Sequence, residues 1–227
     1  MSVLIFDADD TLWENNIYFE KAFDDFVEFL AHSSLTPPQV RDVLNEIELV
    51  NSKIHGYGSR NFGRNLQQAY QHLAEREIRH DDLEHVMSLA ERILQQPIEL
   101  IEGVEETLAE LSQRHQLALF TKGHLDEQRM KVDRSGLGRH FSYTGIVKEK
   151  DSAAYTRLIA DNAFSASKTW MIGNSPKSDI NPALEAGLGA VLVPHARTWV
   201  LEHQELRAPA GSRFLKVERF TDLKQHF

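Results

Sequence analysis

The run Val3-Leu4-Ile5-Phe6 constrains this chain more than any other segment, because it is apolar at every position and stops abruptly at Asp7. A strand with one face in water alternates apolar and polar residues, whereas an unbroken apolar run marks a strand covered on both faces. Similar runs recur at Leu117–Thr121, Thr169–Gly173 and Ala190–Pro194, with a weaker one at Tyr143–Val147. Helical patterns lie between them. Val104, Leu108 and Leu111 keep an i, i+4, i+7 spacing, Ala154, Leu158 and Ile159 repeat that logic, and Pro176–Ala186 reads as a helix ended by Gly187. Strand–helix–strand alternation implies an α/β fold, a mostly parallel, Rossmann-like sheet with helices on both faces in three layers. Ligands of such sheets gather beyond the carboxyl ends of the strands, where Asp7, Thr121 and Gly173–Asn174 would all fall.

The segment from Ile17 to Gln96 reads differently. It has no convincing strand and several amphipathic stretches, Phe19–Leu30, Pro38–Ile54, Phe62–Arg76 and Asp82–Gln95, punctuated by Pro37-Pro38 and by Gly56, Gly58 and Gly63. This predicts an all-α domain, 18–96, inserted into a core made of 1–17 and 97–227. The length of 227 residues suits a core plus such an insertion. Phe19, Phe23, Phe26 and Phe29-Leu30 form one apolar helix face, expected to fill the bundle rather than meet a membrane. No stretch approaches about 18 uncharged apolar residues, so no membrane partner is expected. The net charge of −9 argues against nucleic-acid binding, which needs a concentrated basic surface. The absence of cysteine and of a signal-peptide pattern suits a cytoplasmic protein.

The chemistry concentrates in Phe6-Asp7-Ala8-Asp9-Asp10-Thr11-Leu12. Carboxylates at the end of a buried strand are costly unless a counter-charge meets them. A hard cation with oxygen ligands is the obvious one, and Mg²⁺ typically takes one or two carboxylates with waters and substrate phosphate.

Asp-x-Asp-x-Thr after the first strand resembles the first motif of the haloacid dehalogenase superfamily. The remaining motifs follow in order: Leu119-Phe120-Thr121 ends an apolar strand, Lys148 and Lys150 precede a helix, and Gly173-Asn174-Ser175-Pro176-Lys177-Ser178-Asp179 takes the place of the acidic cluster. The resemblance implies that Asp7 attacks phosphorus to form an aspartyl-phosphate and that Asp9 protonates the leaving group, then deprotonates the attacking water. It implies that Thr121 binds a phosphoryl oxygen, that a Lys neutralises charge, and that Asp7, the Asp9 carbonyl, Asn174 and Asp179 hold Mg²⁺.

Three positions depart from the family pattern. Asn174 stands where many relatives carry Asp, which shifts weight to Asp179. Lys122 stands where Asn is usual and would add positive charge at the phosphate end of the pocket. Lys150 is favoured over Lys148 by its spacing to the helix beginning near Ser152. Asp9 suits an alkoxide leaving group rather than a halide, so the expectation is a phosphohydrolase acting on a small phosphorylated metabolite. A phosphomutase retains the same Asp pair. The insertion resembles the helical caps of this superfamily, in which Arg60 and Arg64 are candidate contacts for an anionic part of the substrate, although a solvated turn explains them equally. Trp13 is expected to pack in the flap between core and cap. His124 and His195 have no third ligand at a zinc-like spacing and read as helix-start and loop residues.

Overall fold

The computed structural model describes every residue, Met1–Phe227. Strands β1 (Val3–Phe6), β2 (Gln116–Lys122), β3 (Tyr143–Val147), β4 (Thr169–Gly173), β5 (Gly189–Leu192) and β6 (Phe214–Lys216) form one sheet in the order β3-β2-β1-β4-β5-β6. Every pairing is parallel. Side chains of a strand alternate between faces, and here both alternatives are apolar. Leu4 and Phe6 pack on one side with Leu117, Leu119, Ile172 and the helix α5 (Val104–Leu111); Ile5 packs on the other with Ala118, Phe120, Met171 and the helix α7 (Ser152–Asp161). Both faces are therefore covered, which accounts for the unbroken apolar runs.

The chain divides into two units, Met1–Asn16 with Ile98–Phe227, and Ile17–Pro97. Four helices build most of the second: α1 (Asn16–Leu30), α2 (Pro37–His55), α3 (Ser59–Leu73) and α4 (His80–Glu91). Their shared core contains Phe23 and Phe26 of α1, Leu44 of α2, Leu66 and Tyr70 of α3, and Leu89 of α4. Phe19 and Phe29, at the edge of the same α1 face, are only partly buried.

In the first unit the helix expected to start at His124 forms, whereas β6 departs from the expected pattern. α6 (Leu125–Ser135) follows β2, and β6 is a short edge strand that no apolar run announces. The expected helix over Pro176–Ala186 is also interrupted. Pro176–Ile180 winds as one wide π turn, with Ile180 N–H donating to Ser175 O at 3.1 Å, before α8 (Asn181–Glu185) begins. Pro182 has no N–H to offer the Ser178 carbonyl, and the Tyr155 hydroxyl donates to that carbonyl instead at 2.9 Å. No helix is long and apolar enough to cross a membrane.

Candidate active site

β1 lies at the centre of the sheet, so the chain leaving it at Asp7 emerges between the ends of β2 and β4. Phe6 is level with Leu119 and Ile172, and Asp7 N–H still donates to Ile172 O at 2.9 Å. The chain then turns sharply: Leu12 N–H donates to Ala8 O at 2.8 Å and Asp10 takes a positive φ of 59°. The Asp10 carboxylate accepts from the N–H groups of Asn15 and Asn16, satisfying donors at the start of α1. Asp10 therefore has a structural task, and burial pushes its carboxyl up to about 6.

Asp7 is buried. Its Oδ1 accepts from Lys150 Nζ at 2.5 Å, and its Oδ2 from the Thr11 hydroxyl at 3.1 Å. Lys150 Nζ also pairs with Asp179 Oδ1, so one ammonium bridges two carboxylates. Burial alone would lower the Lys150 ammonium, but Asp179 and Asp7 more than offset that and hold it well above its ordinary value. One cation does not balance the pair. Burial, reinforced by Asp179, pushes Asp7 up to about 7 against the opposing pull of Lys150.

Asp179 is fully buried, and its second oxygen accepts from Ser175 N–H at 2.9 Å, so both of its oxygens are engaged. Asn174 presents Oδ1 to the Thr11 hydroxyl at 3.3 Å, while its Nδ2 donates to Thr198. Thr121 is buried and accepts from Gln128 Nε2 at 2.7 Å, which leaves its own hydroxyl proton available. The Asp9 carboxylate faces Trp13 Nε1 at 2.8 Å, Lys131 Nζ at 2.9 and 3.0 Å, and Gln128 Nε2 at 3.2 Å.

Asp7, Thr121, Asn174, Asp179 and Lys150 thus come together, whereas Lys148 is exposed. Lys122 is placed differently from its expected position against phosphate. Its ammonium lies 2.5 Å from Glu202 Oε1 and 2.9 Å from Ser178 Oγ. Burial would raise the Glu202 carboxyl, but Lys122 and the hydroxyls of Ser175 and Ser178 hold it below its ordinary value. Arg60 and Arg64 lie one turn apart at the start of α3, both exposed, with Arg64 donating to Asn61. Trp13 is buried among core residues such as Leu12 and Val104. His124 precedes α6 as its N-cap residue. His195 lies 3.4 Å from Glu14 and 3.8 Å from Asp10, neighbours that sequence spacing could not reveal.

The sequence profile of haloacid dehalogenase-like hydrolases matches residues 1–187. The chain belongs to that family. A haloacid dehalogenase-like family hydrolase from Xanthomonas campestris has a TM-score of 0.85 and 27% identity, over 100% of this chain and 94% of that one. The hydrolase YfnB of Bacillus subtilis, solved bound to magnesium, follows at TM-score 0.70 and 18% identity, over 99% and 97%. A 2-haloacid dehalogenase from Pseudomonas syringae shares the fold at TM-score 0.65 and 19% identity, over 99% and 97%. No curated protein matches the sequence.

In this haloacid dehalogenase-like hydrolase, sequence reasoning missed Gln128, Lys131 and Glu202. Gln128 and Lys131 stand three apart on α6 and so share a face. Polar residues at that spacing ordinarily mark a solvated face, so no signal in the sequence turns them inward. Glu202 comes from a segment without a periodic signal, and only the folded chain brings it to Lys122.

Proposed function

We propose that this hydrolase is a Mg²⁺-dependent phosphohydrolase, acting on monoesters of small phosphorylated metabolites through an aspartyl-phosphate on Asp7. The observation that carries the reading is the Asp7–Lys150–Asp179 bridge with the Asp9 carboxylate beside it. A site built to displace halide needs a nucleophile but no proton donor, whereas an alkoxide leaving group needs both.

The donors around Asp7 fit a hard divalent cation. All are oxygens, from Asp7, the Asn174 side chain and Asp179, and the family pattern adds the Asp9 carbonyl. The rise of Asp7 to about 7 marks a shortage of positive charge that such an ion would relieve. Asn174 is the better direct ligand, because its Oδ1 has only the long Thr11 contact at 3.3 Å, whereas the Asp179 oxygens accept from the Lys150 ammonium and from Ser175 N–H. Asp179 then acts by holding Lys150. When bound, Mg²⁺ would neutralise phosphate charge and lower the repulsion between phosphate and Asp7.

In the first step an Asp7 oxygen forms a bond to phosphorus as the ester P–O bond breaks, and Asp9 gives the departing oxygen a proton. In the second, water adds to phosphorus as the Asp7 O–P bond breaks, and Asp9 takes the water proton. Thr121 donates its free hydroxyl proton to a phosphoryl oxygen, and Lys150 neutralises charge on Asp7 throughout. Lys122 has its charge taken by Glu202, so its part at phosphate is indirect. Arg60 and Arg64 are proposed to contact a second anionic group of the substrate. Arg64→Ala is expected to raise KM several-fold for the preferred substrate with kcat little changed; an unchanged KM would remove Arg64 from that role.

The test of the reading is hydrolysis of an aryl phosphate. Chelator should abolish it and Mg²⁺ restore it, with no halide released from 2-haloacids. Activity indifferent to chelator, or halide release, would overturn the proposal.

Mg²⁺ affinity should also depend on pH. A carboxyl raised to about 7 binds a proton across the range between its ordinary value and 7, and that proton competes with the metal. The folded metal-free protein is correspondingly favoured by the Asp7 proton at low pH and loses that contribution as pH rises through about 7. Apparent Mg²⁺ affinity should therefore fall by up to about tenfold per pH unit below 7 and level off above it. Calorimetric titration at several pH values checks this.

A further inference from the structure

α6 turns a polar face inward. Gln128 and Lys131 are 3% and 8% exposed, levels at which an unpaired amide or ammonium would be costly. Their partners belong to the site. Lys131 Nζ reaches both Asp9 oxygens and also Asn15 Oδ1 at 2.7 Å, while Gln128 Nε2 spans Asp9 Oδ2 and Thr121 Oγ1. With the Trp13 indole, Asp9 accepts hydrogen bonds on both oxygens, and every partner is a donor. Three donors, two of them from α6, therefore fix the direction in which that carboxylate points.

We propose that Lys131 is a positioning residue that holds the Asp9 carboxylate aimed at the attacking water of the second chemical step. This rests on the phosphohydrolase reading above and deepens it. In that step a water O–H bond breaks, its proton passes to an Asp9 oxygen, and the water oxygen bonds to phosphorus. The phosphorus–Asp7 bond breaks, its electron pair returns to the Asp7 carboxylate, and phosphate leaves. A fixed base is worth about 10²–10⁴ in rate. Lys131 acts through Asp9 and touches neither nucleophile nor phosphorus. Gln128 serves the same arrangement from the other side: by occupying a lone pair of Thr121 it turns that hydroxyl proton toward an acceptor.

The first step can be separated from the second by the leaving group. An activated aryl phosphate needs no proton donor, so kcat/KM reports formation of the phosphoenzyme and kcat reports its hydrolysis. Lys131→Met, assayed on para-nitrophenyl phosphate with saturating Mg²⁺, should lose at least about tenfold in kcat. KM should fall in parallel, leaving kcat/KM within about twofold, and acid-quenched protein should carry more phosphoryl on Asp7 than wild type. Lys131→Gln keeps a neutral donor in the buried position and should show the same split if the Met variant does not fold. Lys131→Arg should restore kcat. A joint fall of kcat and kcat/KM without phosphoenzyme accumulation, or unchanged kcat in both neutral variants, would overturn the inference while leaving the phosphatase reading intact. A wild-type protein that never carries phosphoryl on Asp7 would overturn both.

Discussion

Lys150→Met is expected to lower kcat for phosphate ester hydrolysis by about 10³-fold or more, because the substitution removes the ammonium shared by Asp7 and Asp179. Losing one fixed donor to a developing oxyanion costs about 10²–10³ in kcat. Here a full charge is lost from a buried site, and the remaining carboxylates then repel both each other and the incoming phosphate. The same substitution should weaken the metal-free fold, since breaking a buried ion pair leaves a buried charge uncompensated at a cost of about 3–5 kcal/mol. Proton uptake by Asp7, already pushed up to about 7, would limit that loss at lower pH. Lys148→Met provides the contrast. Lys148 is exposed, and its replacement should leave kcat within about twofold. Steady-state kinetics on an aryl phosphate and metal-free thermal melts of the two variants check both halves of this prediction.

Gly173→Ala should be nearly as damaging, through geometry rather than charge. A Cβ at Gly173 would overlap the carboxylate of Asp179. The backbone cannot withdraw, because Gly173 is paired with Leu192 in the sheet and its carbonyl accepts from Val193 N–H at 2.9 Å. Asp179 must therefore shift, releasing Ser175 N–H and the Lys150 ammonium together. A kcat loss of about 10²-fold follows from misplacing catalytic groups by about an ångström, and overpacking adds about 1–3 kcal/mol of destabilisation. At Gly138 an added Cβ would meet only Val132 Cγ1 at 3.7 Å, ordinary contact, so Gly138→Ala should leave kcat unchanged. A Gly173→Ala enzyme with wild-type kcat would show that Asp179 has no positioning role.

Much of the fold was legible because its signals are local. Strands β1, β2, β4 and β5 are written as apolar runs, since a central parallel strand needs apolar residues on both faces, whereas β3, at one edge, carries a weaker run. β6 is an edge strand of three residues, too short for a pattern to accumulate. α6 was read only at its start, His124, and its polar inward face escaped because Gln128 and Lys131 stand where periodicity looks for leucines. The π turn at Pro176–Ile180 depends on Pro182 withholding a donor and Tyr155 replacing it, a contact between residues far apart in sequence. The residues around Asp7 were readable from motif order, because each follows a strand end and parallel strands bring their ends together. Lys122 shows where such reading stops. Its neighbours in sequence place it beside Thr121, but the direction of its ammonium is set by Glu202, which the fold delivers from eighty residues away. The proposed choice of Asn174 over Asp179 as metal ligand was likewise inaccessible, since it rests on the contacts that Thr11, Lys150 and Ser175 make with their oxygens.

The central claim, phosphoryl transfer through Asp7, is tested most directly by acid-quenching the protein during turnover of an aryl phosphate and mapping the modified peptide by mass spectrometry. The account predicts one phosphoryl group on the peptide containing Asp7. It should be present with Mg²⁺, absent with chelator, and absent in Asp7→Asn. A phosphoryl group on another residue, or turnover without any covalent adduct in wild type and in Lys131→Met, would contradict it.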